Sequence, residues 1–208
     1  KYAINKGMEG GIPDHNFSPK AGDVKYRDLN GDYKIDDKDV AAIGYPKYPL
    51  LTGNMSLGFS WNGLDFSMVW SGAFKTSRLV SSFYRVPFDT TNNRALLSYM
   101  IKDAWTPEKG NSSTAPAISF GASKANNYKD SDLWLRDASY VRLKNIELGY
   151  SFPKQIVKKM HLGTLRLSVS GYNLLTFDDM GFCDPESNPD GQAYPLIKVV
   201  NFGLKVGF

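Results

Sequence analysis

The chain has one cysteine, Cys183, so no internal disulfide can staple it and its redox compartment stays open. Its two histidines, His15 and His161, stand far apart, and neither lies in a metal-ligand or triad spacing. No GxSxG and no P-loop is present, which argues against an enzyme. The net charge of +4 is scattered without a Lys/Arg run or stripe, which argues against a nucleic-acid partner. No apolar run reaches the roughly 18 residues of a transmembrane helix. Membrane strands stay open, because they alternate and escape a hydropathy scan. The opening KYAINKGMEGG has no signal-peptide pattern and reads as the middle of a longer chain.

What is present leans to an all-β fold. The 208 residues are 42% hydrophobic and 22% charged, ordinary for a folded domain, but 13% are aromatic and 19 are glycine. The clearest signal is NMSLGFSWNGLDFSMVWSGAF, residues 54–74. Met55, Leu57, Phe59 and Trp61 share one face against Asn54, Ser56, Gly58 and Ser60. Asn62-Gly63 is a type I′ turn dipeptide. Leu64, Phe66, Met68 and Trp70 then alternate with Asp65, Ser67 and Ser71, with Val69 breaking the polar face. A soluble sandwich hairpin and a lipid-facing barrel wall fit this pattern equally well.

Three more strands follow, at 140–150, 164–172 and 200–208. In YVRLKNIELGY, Val141 and Leu143 have one parity and Ile146, Leu148 and Tyr150 the other, which predicts a bulge or a strand leaving the membrane between them. The connections alternate in length. Asn62-Gly63 and 151–163 are short, while 1–52, 75–139 and 173–198 are long and rich in Gly, Pro, Asn and Asp. Long structureless loops argue against a compact soluble domain. They match an antiparallel transmembrane β-barrel wall with short periplasmic turns and long outer loops. The division that follows is a loop region at 1–52 and barrel strands at 53–208. A C-terminus in the periplasm puts the long segments outside. In the closing NFGLKVGF, Asn201, Gly203, Val206 and Phe208 resemble the signal read by the barrel-insertion machinery of outer membranes.

Several stretches together resemble the SusC/RagA family of TonB-dependent outer-membrane transporters. They are AGDVKYRDLNGDYKIDDKD, IGYPKYPLLTGN, GLDFSMVWSG, DLWLRDASYVRLKNIELGYSFP, LSVSGYNLLTF, DPE and NFGLKVGF. The resemblance implies the C-terminal piece of a plugged barrel of about 22 strands. It implies a SusD-like surface lipoprotein over the outer loops, coupling to the TonB complex through parts absent here, and uptake of glycan oligomers or peptides. Five strands cannot close a barrel, so the remainder of the barrel and its plug are expected as partners. Two rivals remain, a secreted carbohydrate-binding or dockerin-like β-domain and a passive porin.

Residues 28–39, DLNGDYKIDDKD, carry oxygen side chains at the spacing of a calcium loop. Asp28, Asn30 and Asp32 fall at positions one, three and five. The Lys34 carbonyl falls at seven, Asp36 at nine and Asp39 at twelve. Calcium is the expected ion, with magnesium the alternative, in a structural role. Position six, where such loops place Gly, is Tyr33; without an ion the stretch is a polar surface turn. Tyr84, Tyr99, Trp105, Tyr128 and Trp134 are candidate rings for stacking on sugars, with loop packing or contact with the partner lipoprotein as the alternatives. Trp61 and Trp70 suit an interfacial aromatic girdle. Arg142, Lys144, Glu147 and Arg166 could meet the plug or a solute, or simply be solvated inside the barrel.

Overall fold

The computed structural model describes residues 12–89, 96–181, 183–186, 194 and 196–208. The first eleven residues of the 1–52 region therefore lie outside the description. Seven strands are present among the described residues: β1 (Leu51–Trp61), β2 (Leu64–Phe74), β3 (Ser77–Leu79), β4 (Leu135–Asp137), β5 (Tyr140–Ser151), β6 (Thr164–Asp178) and β7 (Val199–Gly207). β1, β2, β5, β6 and β7 form one antiparallel sheet in that order, and β3 pairs with β4.

The alternation read from residues 54–74 sets the register. Met55 pairs with Trp70, Leu57 with Met68, Phe59 with Phe66 and Trp61 with Leu64. Asn62 and Gly63 both take positive φ, 50° and 88°, as a type I′ turn requires. The phase slip in β5 is a bulge. Val69 pairs with Asn145 and Trp70 with Leu143, which leaves Lys144 as the extra residue. That residue flips the parity, so Val141 and Leu143 share a face with Ile146, Leu148 and Tyr150. β6 answers it opposite. Tyr172 pairs with Asn145 and Leu175 with Leu143, with Asn173 and Leu174 between them and Asn173 at φ 52°.

This second irregularity hides the true length of β6. The strand runs on through Leu175 and Phe177 to Asp178, six residues past the expected end, because Asn173 and Leu174 interrupt its apolar alternation before Leu175 and Phe177 resume it. All long connections leave one end of the sheet, next to Leu51, Phe74, Tyr140, Asp178 and Val199. The short ones, Asn62-Gly63 and 152–163, lie at the other. The latter contains a short helix, α4 (Lys154–Lys159), anchored by the buried Val157.

The 75–139 connection is not structureless, which corrects the reading from composition. It carries β3, β4 and three short helices: α1 (Ser82–Arg85), α2 (Ser98–Asp103) and α3 (Gly121–Asn127). The chain divides into two compact units, one of residues 1–44 and 79–135, the other of 45–78 and 136–208. Residues 79–135 thus group with the N-terminal segment rather than with the strands. Side-chain amides explain the first unit. Asn127 is fully buried; it accepts from the Val24 amide at 2.8 Å and donates to Asp23 Oδ1 at 2.9 Å. Asn126 donates to the Val24 carbonyl at 2.8 Å, and the Tyr26 hydroxyl donates to the Asn126 carbonyl at 2.8 Å. Such bonds satisfy backbone groups that neither helix nor sheet pairs.

Candidate functional site

The sheet of the second unit has two chemically distinct faces. The apolar face is continuous across all five strands. Phe59, Phe66, Leu148, Val169 and Phe202 form one cross-strand row. Trp61, Leu64, Tyr150, Leu167 and Leu204 form the next. Many of these side chains are exposed, including Phe59 at 55%, Trp61 at 74% and Phe202 at 86%. Trp61 stands beside the tight turn, and Trp70 lies nearer the other end, stacked on Phe177 with centroids 6.4 Å apart.

The opposite face is polar and paired by ions within the chain. Arg166 on β6 bridges Asp65 on β2 and Glu147 on β5, the latter at 2.8 Å. Arg142 on β5 has no exposed surface. Its Nε donates to Thr176 Oγ1 at 3.0 Å, its Nη1 to Glu186 Oε2 at 2.8 Å and its Nη2 to Asp184 Oδ2 at 2.6 Å. The Tyr140 ring lies 5.3 Å from the guanidinium. Lys144, the bulge residue, donates to both Glu186 carboxylate oxygens at 2.9 and 2.7 Å. Of the four charged residues expected to meet solute or remain solvated, Arg142, Lys144 and Arg166 are therefore engaged by carboxylates of the same chain, and Glu147 is engaged by Arg166. Asp65, Asp184 and Glu186 were missed as partners. The alternation puts Asp65 on the polar face; no spacing rule brings Asp184 and Glu186 to β5.

The 28–39 loop belongs to the first unit. Asp28 accepts from the Gly31 and Tyr33 amides at 2.6 and 2.8 Å. The Asn30 side-chain Oδ1 accepts from the Asp32 amide at 2.9 Å, and Asp32 accepts from the Lys34 amide at 3.0 Å. Asp36 caps a short 3-10 turn, Asp37–Asp39, by accepting from the Lys38 amide. Asp39 accepts from the Leu29 and Asp36 amides at 2.8 and 2.9 Å, and these bonds hold its carboxyl below the usual carboxylate range. Tyr33 takes φ 63°, the left-handed backbone that position six demands, and Ile35 is buried. Among the described residues no three His, Cys, Asp or Glu side chains gather as a metal-holding group.

The candidate aromatics make packing contacts within the first unit. Trp134 is buried at 7% exposure, donates its indole N–H to the Asn127 carbonyl at 2.9 Å, and lies 5.5 Å from the Tyr128 ring. The expectation of an exposed stacking ring fails there, because burying the indole helps make this unit's core. Burial also pushes the Tyr128 hydroxyl up to about 12. Trp105 packs over Gly22, where a Cβ would strike its ring. Tyr84 meets Phe83 edge-on, and its carbonyl accepts from the Tyr99 hydroxyl. On β7, Asn201 and Gly203 pair with Ser170 and Ser168 on the polar side, Val206 pairs with Leu165, and Phe208 is fully exposed.

No family model matches the chain. Curated relatives and solved structures do. The TonB-dependent receptor P3 of Formosa agariphila is 28% identical over 202 residues, covering 88% of this chain and 19% of that receptor. The TonB-dependent receptor SusC of Bacteroides thetaiotaomicron is 26% identical over 184 residues, 87% of this chain and 17% of SusC. The RagAB peptide importer in its open-open state superposes with a TM-score of 0.66 at 22% identity, over 88% of this chain and 20% of that one. The chain thus spans about a fifth of the length of the curated relatives it matches. The resemblance to SusC/RagA-type receptors read from the motifs holds, and the fold is an antiparallel barrel-wall segment.

Proposed function

We propose that this chain, a segment similar over most of its length to SusC/RagA-type TonB-dependent receptors, is a stretch of barrel wall in an outer-membrane nutrient importer. The observation that carries this is the apolar face continuous over five strands, opposite an ion-paired polar face. Lipid accepts the first and a water-accessible interior the second. The outer edges of β1 and β7 would pair with strands outside this chain, since open edges do not persist in hydrocarbon. A bimane label at position 202 or 204 of the full receptor in membranes should be quenched by nitroxide lipids, and one at 201 or 205 should not. Equal quenching at all four would reject the reading.

The same reading assigns glycan oligomers or peptides as cargo, a SusD-like lipoprotein at the outer end, and TonB as the source of energy. Support comes from the SusC relative and from the RagAB importer, whose cargo is a peptide. Uptake of labelled oligosaccharide or peptide by cells with and without TonB tests it. Uptake that survives loss of TonB would favour a passive porin. Clean monomeric behaviour without detergent would favour a secreted β-domain.

The 28–39 loop is proposed as a calcium brace, with Asp28, Asn30, Asp32, Asp36 and Asp39 and the Lys34 carbonyl as its ligands. In its favour are the left-handed Tyr33 and the buried Ile35 at loop position eight. Each carboxylate that accepts a backbone N–H keeps further lone pairs for a cation. A chelator should lower the melting temperature of the full receptor, and Asp28→Ala with Asp32→Ala should abolish that drop. A melting curve unchanged by chelation would count against the site.

A further inference from the structure

Past the end of β6, the chain turns back onto the polar face of its own sheet. Met180 is 3% exposed and Pro185 is buried, so the returning segment is packed as well as charged. Asp184 and Glu186 flank that proline and meet Arg142 and Lys144, two residues apart across the β5 bulge. The side chain of Arg142 has no exposed surface and that of Asp184 only 16%. A straight strand would point Arg142 and Lys144 the same way with a single residue between them. Here the extra residue at 144 also lets the following strand keep its apolar face outward.

We infer that the Asp184-Pro185-Glu186 run is an ionic strap that holds the start of the β6–β7 connection against the inner face of the sheet. The strap neutralises Arg142 and Lys144, so neither cation is offered to a passing anionic solute. Variants at these positions act first on strap position and only through it on solute. The inference goes beyond the importer reading. It draws on that reading only in calling the polar face the inner one, and the strap itself needs only the contacts within this chain. Removing one partner leaves a buried guanidinium or carboxylate uncompensated, which is the costly way to break such a cluster. Arg142 is fully buried and Asp184 nearly so, so this pair is poorly screened and added salt alone should not open it.

Cys183 lies next to Asp184 and is half-buried, and burial pushes its thiol up, so it reports strap position. The test is the rate of Cys183 alkylation by iodoacetamide in the full receptor in detergent, read by peptide mass spectrometry. Heat-modifiable gel migration confirms a folded barrel. Glu186→Gln should speed alkylation about tenfold, the change expected when about 1.4 kcal/mol of closure is lost. Lys144→Met should speed it by a smaller factor in the native background and by none in the Glu186→Gln background. One molar salt should change the native rate less than twofold. Equal native and Glu186→Gln rates, or fully additive effects of the two substitutions, would overturn the strap. If Glu186→Gln fails to give a folded barrel, the Lys144→Met and Thr176→Val rates decide, and native rates in both would overturn it. The bimane quenching pattern is independent of these rates, so failure of the barrel reading and failure of the strap are told apart.

Discussion

Arg166 and Asp65 join two strands that are not neighbours. β5 runs between β2 and β6, and the guanidinium reaches the carboxylate over Gly149, where a Cβ would collide with both groups. Glu147 on the same strand supplies the second carboxylate at 2.8 Å.

The colliding atoms are ends of flexible side chains, so Gly149→Ala should part the ion pair without moving backbone. The pair is about a third exposed, and such pairs contribute at most about 1 kcal/mol. Gly149→Ala and Asp65→Asn should each lower the thermal midpoint of the full receptor slightly, and the double variant no further than one of them. A Gly149→Ala loss much larger than that of Asp65→Asn would show a backbone role instead.

Gly63 is the contrasting case. It sits at φ 88°, and a Cβ there would lie 2.5 Å from the Ser151 carbonyl oxygen, a backbone atom with little freedom to move. Gly63→Ala should cost about 1–3 kcal/mol and lower the yield of folded barrel. Wild-type thermal stability would show that the hairpin turn relaxes freely.

Acid should loosen the 28–39 loop late. Asp39 titrates below its ordinary range because it accepts from the Asp36 and Leu29 amides. A depressed carboxyl contributes stability that is present above its unfolded value and fades as pH falls through the folded one. Amide exchange at Leu29 and Asp36, corrected for intrinsic rates, should therefore stay protected at neutral pH and rise only below the usual carboxylate range. Asp39→Asn should raise it at neutral pH. Protection lost already near pH 6 would contradict this.

Asn127→Ala should orphan the buried Val24 amide, at about 1–3 kcal/mol, and remove one bond from the Asp23 carboxylate, which keeps the Lys20 amide and the Ser123 hydroxyl. Exchange at Val24 should rise steeply while protection of β5 and β6 stays as it is. Coupled loss in both places would show that the two units unfold together.

Deleting Phe208 should reduce membrane insertion if the closing strand carries the insertion signal. Surface levels equal to wild type would remove that role from Asn201, Gly203, Val206 and Phe208.

Alternation made much of this molecule legible. A strand's period of two is local, so the faces of β1, β2, β5 and β7, the type I′ turn and the β5 phase slip could all be read along the chain. The motifs likewise pointed to the family before any coordinate did. β6 was read short because its paired irregularity at Asn173 and Leu174 breaks the period that pattern reading depends on. In the 28–39 loop Tyr33 takes the left-handed backbone at the position where such loops place Gly, and Ile35 is buried, both properties of a few consecutive residues.

What local pattern could not supply is which side chains meet. Asp184 lies 42 residues from Arg142, Asp65 lies 101 from Arg166, and Asn127 lies 103 from Val24. Each pairing depends on strand order, a bulge or a loop returning on itself, and none of these is encoded in residue spacing. The charges on the polar face could be named from the chain, but their neutralisation follows from the fold, because only there does burying Arg142 require a carboxylate within reach.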